Sequence, residues 1–136
     1  MESEYPGSER RKIKRVRVSL SVIYRVNEPL TVRLLTAERE IRATMLDLSE
    51  EGMAILTDYD VPVSTILLMR FTLFRVDKDD VSFYGPLEIT GEVRDNVKKD
   101  GECRVGIRFL KIEEDDKREV ANFAKMVMDV LTKGQQ

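Results

Sequence analysis

From Val16 onward the chain alternates. Val16, Val18, Leu20, Val22, Tyr24 and Val26 are apolar, and polar or cationic residues fill most places between them. A period of two, rich in β-branched residues, predicts a strand with one face in a core. Asn27-Glu28-Pro29 signals a turn. Apolar residues return over 30–37, 41–48 and 53–57, which predicts a second, third and fourth strand, with Gly52 at the turn before the last. Residues 58–63, with Pro62, read as a loop. The longer apolar and aromatic run over 66–74 predicts another strand, and 76–85 reads as a polar connection with Asp77, Asp79 and Asp80 at a solvated hairpin tip. Residues 87–97 alternate again, with Gly91 marking a bulge or sharp bend. Asp100-Gly101 is a hairpin turn signal, after which 103–112 returns as Val105, Ile107 and Phe109. Six or seven strands on short turns predict a small barrel or sandwich.

The period then changes. Val120, Phe123, Ala124, Val127, Val130 and Leu131 fall on one helical face. Asp116-Lys117-Arg118-Glu119 has the form of a capping box with Asp116 as N-cap, and Lys133-Gly134 suits the other end. The apolar stripe predicts a C-terminal helix that packs on its own barrel. It could close the barrel's mouth or meet a partner subunit in a homodimer.

The 136 residues fit one domain with one core. Residues 1–9, polar with Pro6 and Gly7, read as disordered, and 10–132 as the domain. No apolar run approaches the roughly 18 residues that cross a bilayer. The first residues lack the basic and apolar regions of a secretory signal, so a cytoplasmic location is expected. Histidine is absent and Cys103 is the lone cysteine, which removes histidine-based triads, an internal disulfide and a zinc set. Cys103 reads as an ordinary strand residue following a turn. Asp77, Asp79 and Asp80 lack the glycine and terminal glutamate of a calcium loop. Glu50 and Glu51 read as solvated turn residues, with no nucleophile, metal set or phosphate-cradling loop beside them. The chain is expected not to be an enzyme, with no catalytic residue, no metal and no cofactor.

Net charge is −2, but its distribution is uneven. Residues 10–17 read Arg-Arg-Lys-Ile-Lys-Arg-Val-Arg, and 113–116 read Glu-Glu-Asp-Asp. A dense cationic segment on an acidic protein is an anion-binding feature or a solvated arm. Arg11 and Arg15 each present a planar fork of donors that matches guanine O6 and N7, pairs with phosphate and stacks on flat rings. Further on comes Asp47-Leu48-Ser49-Glu50-Glu51-Gly52. Asp47 can accept from guanine N1–H and the exocyclic amine, Ser49 can donate or accept, and Gly52 permits a positive φ and close backbone approach. The same spacing is also ordinary turn chemistry, in which Asp and Ser bond to local N–H groups.

Taken together, these two stretches resemble the signature of the PilZ domain, a bacterial receptor module for cyclic di-GMP. That signature is Arg-x-x-x-Arg followed by Asp/Asn-x-Ser-x-x-Gly. Residues 11–15 and 47–52 match every specified position. The resemblance covers roughly residues 9–132, including Gly106-Ile107-Arg108-Phe109 and the acidic start of the helix. Residues 66–85 look longer and more particular to this chain. The resemblance implies a six-stranded antiparallel β-barrel with a C-terminal helix. It implies that Arg11 and Arg15 hold guanines and phosphates from a mobile arm, and that Asp47, Ser49 and Gly52 form the barrel-side wall. Arg10, just before the first signature arginine, implies an intercalated pair of ligands. A separate downstream protein partner would read the result. Two other readings compete: a barrel that binds single-stranded nucleic acid through the basic arm, and a PilZ-shaped docking module without ligand.

Overall fold

A computed structural model describes residues 15–134. Six strands form: β1 (Val16–Glu28), β2 (Ile41–Leu48), β3 (Gly52–Thr57), β4 (Ile66–Asp77), β5 (Asp80–Lys99) and β6 (Glu102–Lys111). Two helices accompany them, α1 (Leu30–Leu35) and α2 (Glu114–Gly134). The strands pair antiparallel in the order β1-β2-β3-β6-β5-β4, and β4 pairs back onto β1 to close a barrel. Closure leaves no free edge within the barrel wall.

Alternation explains the core. Val22, Tyr24 and Val26 of β1, Met45 of β2, Ile55 of β3, Leu67 and Met69 of β4, Ile89 and Val93 of β5, and Val105 of β6 all point inward and are buried. Each such aliphatic side chain contributes about 1.5–3 kcal/mol on leaving water. Gly91 sits at a register shift between β5 and β6, as its place in the alternation predicts. A Cβ there would meet Ile107 Cγ2 and Met69 Cε, so the bulge lets the two strands approach over the core. Asp100 and Gly101, both at positive φ, form the β5–β6 turn, and Cys103 is a buried strand residue.

Tyr24 carries a polar group into the core. The Tyr24 hydroxyl shares a 2.8 Å hydrogen bond with Thr57 Oγ1. Burial, which disfavours the phenolate, pushes the Tyr24 pKa up to about 12. The protonated form is therefore favoured in the folded state over the unfolded state. Stability is expected to be unaffected by this group below pH 10 and to fall as pH rises from about 10 to about 12. Urea midpoints measured across that range check this, and Tyr24→Phe should flatten the slope.

The structure departs from expectation at four places. Residues 30–35 form a short helix, not a strand. Arg33 N–H donates to the Pro29 carbonyl, and the helix carries the chain from the end of β1 to the start of β2. The polar stretch 76–85 is not a connection: β4 and β5 continue through it as a two-stranded hairpin, with Asp77 paired to Asp80 at the tip. That hairpin stands outside the barrel, where neither side must be apolar throughout. Helix α2 begins at Glu114, two residues before the expected N-cap. The Asp116 carboxylate instead accepts from the Tyr84 hydroxyl at 2.8 Å, which raises the Tyr84 pKa. Finally, Val120, Phe123 and Ala124 are buried and Val127 half-buried, but Val130 is 58% exposed. The helix packs on the barrel with only the first part of its stripe.

Among the described residues no helix is long and apolar enough to cross a membrane.

Candidate functional site

Strand pairing places the start of β1 and the second signature stretch at one end of the barrel. Val16 pairs with Leu48 and Arg17 with Asp47, so the chain entering β1 arrives beside the β2–β3 turn. Arg15, exposed, immediately precedes that pair. Arg10 and Arg11 lie outside the described residues.

The turn itself is tightly built. Ser49 N–H donates to the Gly52 carbonyl at 2.9 Å, and Ser49 Oγ accepts from Glu51 N–H at 3.1 Å. Ser49 is buried as a result. Phe109 N–H donates to the Glu51 carbonyl at 2.8 Å and ties the turn to β6. Gly52 is required by close approach and not by a positive φ, which among described glycines occurs at Gly85 and Gly101. A Cβ on Gly52 would collide with the Ile107 carbonyl oxygen, and Gly52 pairs directly with Arg108.

Asp47 follows a register shift in β2, between Met45 and Asp47. The extra residue frees Ala54 N–H from the strand ladder. Asp47 Oδ1 accepts that N–H at 3.1 Å, and Asp47 Oδ2 lies 3.3 Å from the Arg104 guanidinium. The carboxylate is thus held across β3 by β6. Each oxygen has further acceptor capacity, so these bonds orient the group without exhausting it.

A second bulge mirrors the first. The β5–β6 register shifts between Val93 and Asp95, and Asp95 Oδ1 accepts Gly106 N–H at 3.1 Å. One row of ladder partners therefore runs Arg17, Asp47, Ala54, Gly106 and Asp95, with Asp47 and Ala54 buried in it. Ala54 and Gly106 are the small members in the middle. Arg104 and Arg108 flank Gly106 on the outward face of β6, each about half exposed. The result is a shallow floor bordered by arginines, next to the signature turn. Such a surface can receive a flat, anionic ligand, with guanidinium groups to stack on it or pair with its phosphates. Among the described residues no cluster of His, Cys, Asp and Glu could hold a metal ion.

Of the site residues expected from sequence, Arg15, Asp47, Ser49 and Gly52 come together at this rim. Arg104, Arg108, Ala54 and Gly106 were not among them. Outward alternation along β6 is the signal that finds Arg104 and Arg108. Nothing local marks Ala54, whose N–H anchors the Asp47 carboxylate.

The PilZ domain family model matches residues 9–125. No curated protein matches the sequence. Among solved structures, the fold is similar to the Bacillus subtilis inhibitor of motility (MotI/DgrA), with TM-score 0.66 and 17% identity over 91% of this chain and 52% of that one. The chain thus spans about half the length of that protein. It is also similar to the PilZ domain of YcgR from Escherichia coli, solved with c-di-GMP, with TM-score 0.60 and 14% identity over 93% of this chain and 98% of that one. PlzA of Borreliella burgdorferi, in complex with c-di-GMP, gives TM-score 0.50 and 10% identity over 96% of this chain and 55% of that one. At these identities the likeness is one of fold.

Proposed function

The chain belongs to the PilZ domain family, and we propose that it is a non-enzymatic receptor for cyclic di-GMP. In this reading the arm carrying Arg10, Arg11 and Arg15 closes over a ligand seated at the rim formed by Asp47, Ser49 and Gly52. The observation that carries it is the register Val16 to Leu48 and Arg17 to Asp47, which sets the start of β1, just after Arg15, beside the signature turn. The two similar structures solved with c-di-GMP support the choice of ligand.

Chemistry divides the work. The ligand carries two guanines and two phosphates. Arg11 and Arg15 supply bidentate contacts to O6 and N7 or to phosphate oxygens. Asp47, oriented by Ala54 N–H and Arg104, offers its remaining lone pairs to guanine N–H groups. Gly52 lets the turn lie flat on β6. Micromolar affinity needs about −8 kcal/mol, more than two arginines supply, so stacking and the barrel-side bonds contribute too. Ordering of an arm on binding is a change that a separate protein can read.

A barrel for single-stranded nucleic acid would present stacking aromatics along its binding face. Tyr24 and Phe71 are buried, Phe74 packs on Phe123, and Tyr84 is bonded to Asp116. Phe83 is exposed but lies on the β4–β5 hairpin, and Phe109, half-buried, packs against the core beside the signature turn, so no row of free aromatics lines this rim.

Titration calorimetry with cyclic di-GMP tests the proposal. Saturable binding at two ligands per chain is expected, and Arg10→Leu should lower the ratio to one. A folded protein, checked by circular dichroism, that gives no binding overturns the reading. Binding at one ligand per chain in the unsubstituted protein overturns only the role given to Arg10.

A further inference from the structure

The β4–β5 hairpin extends past the barrel with little to cover it. The last pair between β1 and β4 is Ile23 with Arg70, and the first between β5 and β6 is Thr90 with Lys111. Beyond those points β4 and β5 pair only with each other. Helix α2 lies along the β4 side. Arg75 pairs with Glu119 at 2.8 Å, Phe74 meets Phe123 edge-on at 5.3 Å, and Val76 N–H lies 3.3 Å from Met126 Sδ. No strand covers the β5 side over residues 80–89.

The register puts Phe74, Val76, Val81 and Phe83 on one face, since Phe74 pairs with Phe83 and Val76 with Val81. The helix covers the Phe74 end only. Val76 is 46%, Val81 56% and Phe83 76% exposed, and Val130 of α2 is 58% exposed beside them. Between hairpin and helix lies a cleft of about 500 Å³ with mixed walls, apolar at Phe74, Phe123 and Met126 and polar at Glu119, Asn122 and Lys125.

We propose that this face is a two-fold interface with a second copy of the same chain, in which each hairpin seats Phe83 in the cleft of its partner. Three observations single out a second copy. First, the face is self-complementary: it offers both a knob, Phe83, and a cleft with apolar walls at Phe74, Phe123 and Met126, as an isologous contact requires. Second, the cleft's rim carries both signs, Lys125 and Asp129 on the helix with Arg75 and Glu119 below. A two-fold can set Lys125 of one copy against Asp129 of the other, whereas a strongly charged partner would find no matching field. Third, the four exposed side chains present on the order of 300–400 Å² of apolar surface. That approaches the apolar share of the roughly 800 Å² that each partner buries in a stable complex. The open β5 edge adds main-chain donors and acceptors, and an identical edge running antiparallel satisfies them.

Sedimentation velocity of the full chain, from about 1 to 200 μM, tests this. A reversible monomer–dimer equilibrium is expected, and Phe83→Glu should raise its dissociation constant at least tenfold. Because Phe83 is largely exposed, that variant should keep the wild-type circular dichroism spectrum. Hydrogen exchange supplies the second measurement: amides of residues 81–85 should gain protection as protein concentration rises, and Phe83→Glu should remove the gain. A chain that stays monomeric throughout overturns the proposal and leaves the face to a different protein. A dimer insensitive to Phe83→Glu, or one without protection at 81–85, overturns it as well.

Discussion

Replacing Arg15 with alanine should weaken cyclic di-GMP binding by at least about tenfold and leave thermal stability almost unchanged. A bidentate arginine–guanine pair is worth roughly 1–3 kcal/mol, about 5- to 150-fold in affinity. The stability half of the prediction rests on place. Arg15 is exposed, precedes the first ladder pair and makes no ion pair with another described residue. Removing its side chain takes nothing from the barrel, and surface changes of this kind stay within about 0.5 kcal/mol. Lysine at the same position should recover only part of the loss, because an ammonium pairs with phosphate as a point charge but cannot reproduce the planar fork. Titration calorimetry beside a thermal melt measures both quantities. Binding by Arg15→Ala equal to that of the unsubstituted chain would sink the proposed division between arm and wall.

What sequence made legible follows from where each residue spends its chemistry. The barrel strands alternate because one face of each is core, so β1, β2, β3 and β6 appear within two residues of their ends. The short helix Leu30–Leu35 misleads because six residues cannot separate a period of 3.6 from a period of two. It also has no fully buried residue, and only Val32 packs partway against the core, so no apolar face points to it. The hairpin over 76–85 misleads for the complementary reason: its side chains answer to solvent and to α2, not to the barrel's interior. Asp116 matches a capping box locally, yet Tyr84, 32 residues earlier in the chain, takes its carboxylate.

The site shows the same boundary. The turn Asp47 to Gly52 is readable because its bonds are local, Ser49 to Glu51 and Ser49 to Gly52. The support of Asp47 by Arg104 spans 57 residues and depends on a bulge in β2 that no residue type announces. Gly52 was legible as a glycine position, but for two candidate reasons, and only the close approach to β6 applies.

That reason makes Gly52→Ala the substitution with the largest expected effect on both fold and site. The added methyl would be driven into the Ile107 carbonyl, and the next nearest atoms, Ile107 C and Arg108 Cα, also belong to the backbone. No side chain can rotate away, so β3 and β6 must separate where Gly52 faces Arg108. Overpacking of this kind costs about 1–3 kcal/mol or more, which for a domain of this size lowers the melting temperature by roughly 5–10 °C. The shift also strains the Phe109–Glu51 bond and displaces the Ser49 turn, so ligand affinity should fall with stability. Gly101→Ala separates the two effects. Gly101 has a φ of +83° and open space around its missing Cβ. Alanine there incurs only the left-handed backbone penalty, about 1–2 kcal/mol, at a turn that contributes nothing to the rim. Both variants should melt lower, but only Gly52→Ala should also lose cyclic di-GMP well below its own melting transition. Equal binding by the two variants would mean that the β3–β6 contact at Gly52 serves the barrel alone.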